Sequence, residues 1–178
     1  EWFHRAEGVL NAQYWIGRFL SEGRGTEADP VAARVWFEKC VALNLTDAFV
    51  SLAEMHTRGQ GGPRDDEMAR QLFERAAANG HARAMFALGA LYGGGHQIPT
   101  DRATSLAWYR AAAEKGHPMA YLMIGKYLAL GIATERDPQT ARRWLTQALK
   151  AGVSEAQEDL DVLEALETRA PDPTDAAA

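Results

Sequence analysis

One cysteine in 178 residues, Cys40, excludes an internal disulfide framework and a cysteine-rich zinc site, so the fold has to stand on packing alone. Long apolar runs are missing too. None approaches the ~18 residues that a membrane helix needs, and membrane insertion is not expected. Basic blocks are absent, and 19 basic against 24 acidic side chains leave a net charge of −5, which disfavours nucleic acid and anionic lipid as partners. The residues after Glu1 carry no positively charged segment followed by an apolar core, so no secretory leader is expected within this sequence. What is present is a globular composition: 47% hydrophobic and 24% charged residues in a chain long enough to bury a core.

The chain repeats itself. Ala12, Ala48, Ala84, Ala120 and Ala156 are spaced by 36 residues without insertion or deletion, and Gly23, Gly59, Gly95 and Gly131 keep the same beat, as do Asp29, Asp65, Asp101 and Asp137. Within a unit the apolar spacing is helical: Ala84, Leu88, Leu91 and Tyr92 fall on one face of a first helix. Ile16, Leu52 and Ile124 repeat the Leu88 position, each followed by a small residue (Gly17, Ala53, Gly125, with Gly89 in the third unit). Glycine inside a helix costs about 1 kcal/mol relative to alanine, so its return is expected to be a close approach between helices. The glycine column at 23, 59, 95 and 131 is expected to end this helix in the left-handed conformation.

The aspartate column predicts the start of a second helix, because a carboxylate there accepts a hydrogen bond from the unpaired first-turn amides. Pro30 and Pro138 follow two of these aspartates, at the first helical position, where a missing N–H costs nothing. The inward stripe is read as Ala33, Ala69, Ser105 and Ala141, then Trp36, Leu72, Trp108 and Trp144, then Cys40, Ala76, Ala112 and Ala148. Gly80, Gly116 and Gly152 end the second helix, with Asn44 in that place once. Each unit is thus a hairpin that cannot bury its apolar face alone, and the expected fold class is all-α, an α/α superhelical solenoid of 36-residue helix-turn-helix repeats.

These columns resemble the Sel-one-like repeat (SLR) family, relatives of tetratricopeptide repeats with a longer loop between the paired helices. The third unit, AMFALGALYGGGHQIPTDRATSLAWYRAAAEKGHPMA, is similar to the family pattern of Ala, Leu-Gly, Leu-Tyr, Gly, Asp, Ala, Trp-Tyr, Ala-Ala and Gly in order. The second unit departs most, with Ala53, His56 and Leu72 in place of Gly, Tyr and Trp. The resemblance implies a right-handed superhelix acting as a protein-interaction scaffold, frequently in bacterial envelope, secretion, polysaccharide or signalling systems, with no catalysis of its own. The organisation read from the columns is an incomplete preceding repeat over 1–11 (the end of a second helix stopping at Gly8), four repeats over 12–155, a C-terminal capping helix over 156–167 and a disordered tail over 168–178. Trp2 and Phe3 are expected either to be exposed and open to end-to-end self-association or to be capped by further sequence.

No constellation points to catalysis. His81 and His117 share a repeat position where a side chain caps a first helix, and no close-spaced ligand completes a metal site. The glycine runs at 59–62 and 93–95 lack the Lys-Ser/Thr ending of a phosphate loop and read as helix stops. Cys40 sits in an alanine column and reads as a small buried residue, and the run Asp65-Asp66-Glu67 reads as helix-start and surface charge. The tryptophan column reads as core. Positions that vary between units remain: Tyr14, Val50, Phe86 and Leu122, flanked by Arg18, Glu54, Ala90 and Lys126 and by Asn11, Asp47, Arg83 and Met119. An apolar stripe with mixed charges beside it suits a peptide or partner helix in the concave groove. The expected function is a non-catalytic adaptor binding a protein or peptide there, without cofactor or metal. The alternative is a regulatory or accessory repeat domain of a longer enzyme or membrane-anchored protein.

Overall fold

Among the residues described by a computed structural model, 2–168 with side chains over 8–166, the chain forms nine helices in succession. They are α1 (Trp2–Glu22), α2 (Pro30–Ala42), α3 (Thr46–Arg58), α4 (Asp66–Ala78), α5 (Ala82–Gly93), α6 (Arg102–Glu114), α7 (Pro118–Leu130), α8 (Pro138–Lys150) and α9 (Ala156–Thr168). Each second helix begins behind its aspartate: Asp29 accepts from the Ala32 amide at 2.9 Å, Asp65 from Met68 at 2.9 Å, Asp101 from Ala103 and Thr104 at 3.1 Å each, and Asp137 from Thr140 at 3.0 Å. Gly59 and Gly131 end α3 and α7 with φ of 64° and 68°. The third unit differs. Its first helix stops at Gly93, two residues before the Gly95 column, because three successive glycines remove the helical preference one residue early.

The N-terminal end also differs from the sequence reading. α1 runs unbroken through Gly8, where a second helix was expected to stop. A Cβ placed at Gly8 would meet nothing within 4 Å, so no packing enforces a turn there, and continuing the helix costs only about 1 kcal/mol. The side chains of Trp2 and Phe3, on which the expectation of self-association rested, lie outside the described residues, as does the tail from 169 on. Ile16 and Phe19 are 40% and 43% exposed on α1, whereas Leu52 and Met55, their counterparts one unit on, are buried.

Consecutive helices pack against one another along the array, and α9 rests on α8 and touches α7. The inward stripe of the second helices is shifted from the one expected. Trp36, Trp108 and Trp144 are half-buried, and the next residue fills the core: Phe37, Phe73, Tyr109 and Leu145, all 5% exposed or less. The stripe therefore steps i, i+4, i+7 through Ala33, Phe37 and Cys40. The indoles lie at its margin, where Trp144 stacks on Tyr121 at 5.8 Å and Lys39 sits 4.3 Å over the Trp36 ring. Cys40 is fully buried, and burial pushes its thiol up.

The expected close approach has this column as its partner. A methyl group at Gly17 would lie 2.8 Å from Phe37, at Gly89 2.6 Å from the Tyr109 ring, and at Gly125 2.7 Å from Leu145. Tyr109 has little room to yield, since it is buried between Phe86 at 5.4 Å and Tyr127 at 5.7 Å. Gly89→Ala should therefore destabilise the protein by about 1–2 kcal/mol in urea titration, the overpacking exceeding the helix gain of alanine. Gly8→Ala, with open space around it, should leave stability unchanged or raise it by up to about 1 kcal/mol.

Candidate binding groove on the first helices

Burial decides which face of the first helices a partner can reach. In α3, Ala48, Phe49, Val50, Leu52, Ala53, Met55 and His56 are buried, because the helix is held between α2 and α4. Asp47, Ser51, Glu54 and Arg58, stepping i, i+4, i+7, i+11, are left accessible, with Thr46 and Thr57 beside them. In register, the accessible stripe is Asn11, Trp15, Arg18 and Glu22 on α1 and Arg83, Ala87 and Ala90 on α5.

This geometry corrects the expected apolar stripe. Val50 and Leu122 are 4% and 3% exposed and belong to the core, since their column lies one residue round from the accessible one. Tyr14 and Phe86, with larger rings in that column, are half-buried and lean on the core: Tyr14 on Phe37 at 5.7 Å, Phe86 on Tyr109. Lys126 reaches 3.4 Å from Asp159 on α9.

Two cavities bring the other candidates together. The first, of about 250 Å3, is mainly polar and is lined by Tyr14, Arg18, Ser21, Glu22, Ser51, Glu54, Arg58, Gln60 and Arg83, with Phe37 and Met55 as its floor. The second, also about 250 Å3, is mainly apolar and is lined by Phe73, Phe86, Ala87, Ala90 and Leu91, with Thr57 and His96. Glu54, Arg58 and Arg83 border both. Tyr14 and Ser51 hydroxyls lie 3.2 Å apart across the α1–α3 seam, and Arg83 pairs with Glu54 at 2.6 Å across the α3–α5 seam. Glu22 is paired with Arg18 and, at 2.6 Å, with Arg24, and the Arg18 hydrogen bond holds its carboxyl below the usual range.

Arg58, Ser51 and Ala87 were missed in the sequence. The flanking columns singled out there are seven residues apart, and adding the helical step of four to Asp47 and to Glu54 would have reached Ser51 and Arg58.

The histidines divide. Nδ1 of His81 accepts from the Ala84 amide at 3.4 Å, as a cap, while its Nε2 lies 3.3 Å from Asp47. His117 makes no capping bond and instead stacks on Phe86 at 4.5 Å. His56 is 6% exposed and accepts from Arg34 at 3.0 Å, which requires a neutral ring. Burial, then Arg34, pushes its pKa below 6.5, and burial, then Arg83 and His81, does the same to His117. The unfolded chain thus takes up protons first, so this stability is complete above pH ~6.5 and is lost as the pH falls below it. Thermal melts should show Tm dropping between pH 7.5 and pH 5 by an amount that shrinks in His56→Gln/His117→Gln. An unchanged slope in that variant would refute the assignment.

Among the described residues, no group of three His, Cys, Asp or Glu side chains could hold a metal ion, and no helix is long and apolar enough to cross a membrane. Asp66, expected as surface charge, is 1% exposed: Arg64 binds it at 2.5 Å and the Gln97 amide donates to it at 2.7 Å. It is a brace between the second unit and the α5–α6 loop.

The Sel1 repeat family model matches residues 10–44, 50–81, 82–117 and 118–153, one match per helix pair, the first two beginning inside α1 and α3. The chain belongs to the Sel1 repeat family. A Sel1 repeat protein from Oxalobacter formigenes is similar in structure, with a TM-score of 0.82 and 29% identity over 89% of this chain and 65% of that one. The protein c5321, a protective antigen present in uropathogenic Escherichia coli strains and displaying an SLR fold, gives a TM-score of 0.81 and 27% identity over 89% of this chain and 34% of that one. Helicobacter pylori cysteine rich protein B shares the fold at a TM-score of 0.56 and 15% identity, over 70% of this chain and 94% of its own. This Sel1 array therefore spans 65% and 34% of the length of the first two. No curated protein matches the sequence. Sel1 repeats are generally non-catalytic scaffolds that commonly mediate protein interactions.

Proposed function

We propose that this Sel1 array is a non-catalytic scaffold whose first-helix wall binds an extended segment of a partner protein. One observation carries the reading. The alanine column at Ala48, Ala84, Ala120 and Ala156 is buried and builds the solenoid, whereas the accessible column changes from Arg18 to Glu54 to Ala90 to Lys126, and its first three members line adjoining cavities. Positions free of packing duty that nonetheless converge on a concave site are where specificity resides. Of the candidate residues, the proposed site uses Tyr14, Arg18, Glu54, Arg83 and Phe86, which line these cavities, and not Val50, Leu122 or Lys126, which do not. The bacterial sources of the similar structures support a bacterial setting. The greater length of those relatives supports a second, compatible reading, in which the array is the accessory repeat region of a longer protein.

Photo-crosslinking tests the wall directly. A probe at Ala90, in the apolar cavity, should trap a single partner that a probe at Ile98 on the α5–α6 loop does not. Trapping from Ile98 alone would move the site to the loops.

A further inference from the structure

We infer that the groove takes an extended segment bearing a side-chain carboxylate beside a bulky apolar side chain, with Arg58 as the anchor for the acid; this rests on the reading of the wall as the binding surface. The charge balance of the polar cavity leads there. Three guanidiniums line it, from Arg18, Arg58 and Arg83, against two carboxylates, from Glu22 and Glu54. Both carboxylates are already engaged: Glu22 by Arg18 and Arg24, Glu54 by Arg83. Among the described residues no hydrogen bond or ion pair engages Arg58, although its side chain borders both cavities. One positive charge is thus left unmatched at the junction of a polar and an apolar chamber.

The complement of that junction is a carboxylate on one side and an apolar group on the other. Guanidinium meets carboxylate in a bidentate geometry that an amide cannot reproduce, and of the Ser51 and Tyr14 hydroxyls, which bond to each other in the same cavity, one O–H is left to donate. The apolar chamber, floored by Phe73 and Phe86, takes the neighbouring anchor. In an extended chain, side chains two residues apart point the same way about 7 Å from each other, so an acid and an apolar residue at i and i+2 address adjoining chambers together. The feature is local to this part of the array. The positions in register with Arg58 are Glu22, Gly94 and Leu130, none of which carries a positive charge.

The test uses the full chain, immobilised, and a pool of random decapeptides acetylated and amidated at their ends, so that every carboxylate is on a side chain. Peptides retained by the wild type should be enriched in Asp or Glu with Leu, Ile, Met or Phe two positions away. On Arg58→Gln the acidic enrichment should vanish while the apolar one persists. The consensus peptide should lose at least about tenfold in affinity by fluorescence anisotropy, a loss that Lys150→Gln on α8 does not reproduce. Among the described residues Arg58 has no partner whose loss would unfold the protein, and an unchanged melting curve checks this. Apolar enrichment without acid, or acidic enrichment indifferent to Arg58→Gln, would overturn the inference and leave the wall as the binding surface. Enrichment on the wild type no greater than on an Ala90→Arg chain with its groove blocked would overturn both.

Discussion

Replacing Phe73 by alanine should lower the stability of the protein by about 3–5 kcal/mol, and replacing Trp108 by about 1–2 kcal/mol. The order is the reverse of what side-chain size suggests. Phe73 is 2% exposed in the core, and removing it leaves a void that the helices on either side cannot close without losing contacts of their own. Trp108 is half-buried at the margin of the corresponding stripe on α6, and truncating it mostly re-exposes surface that is already near water. Because each unit is held by its neighbours, the Phe73 variant should also split a single denaturation transition into two, as coupling across the second unit weakens. Urea titration followed by tryptophan fluorescence and by circular dichroism would show the two probes separating. Equal losses for the two variants would mean that the aromatic columns are placed wrongly.

The second large effect concerns a charge. Asp66→Ala should cost about 2–3 kcal/mol, and Asp66→Asn clearly less. Burial alone would push this carboxyl up, but Arg64, the Gln97 amide and His96 together hold it below its usual range. Alanine leaves the Gln97 N–H without an acceptor, whereas the asparagine oxygen still accepts from it. Arg64 is 40% exposed and regains water, which keeps the penalty below that of a fully buried pair. The sign with pH follows. The folded pKa is depressed, so the contribution is complete above pH ~4 and disappears as the pH falls through the folded value, a window well below that of His56 and His117. Amide exchange over residues 94–100 should quicken in Asp66→Ala, since the loop loses its tie to α4.

Much of the fold was legible because a repeat is read by register. The aspartate caps, the left-handed stops at Gly59 and Gly131 and the helix contacts at Gly17, Gly89 and Gly125 all follow from single columns whose chemistry is local. What escaped depends on neighbours that a column does not contain. Trp36 and Phe37 are adjacent and both aromatic, three and four residues after Ala33, so either fits the helical spacing, and packing against Gly17 of α1 makes the second the core residue. Asp66 is buried by a loop 31 residues further on, so its own surroundings in sequence read as surface. The run of α1 through Gly8 reflects an absence of packing, which no pattern announces. For the groove, Arg18, Glu54 and Arg83 were found because they break the repeat. Val50 and Leu122 were misplaced because a varying column was taken for an exposed one.

The most direct test of the division between packing columns and binding columns is amide hydrogen exchange on the full chain, free and saturated with the consensus peptide. Protection should concentrate on the accessible wall, over residues 14–22 of α1, 51–60 of α3 and its end, and 83–91 of α5, with α6 and α8 unchanged. Protection centred on the loops after α3 or α5, or on the outer faces of α4, α6 and α8, would contradict the account.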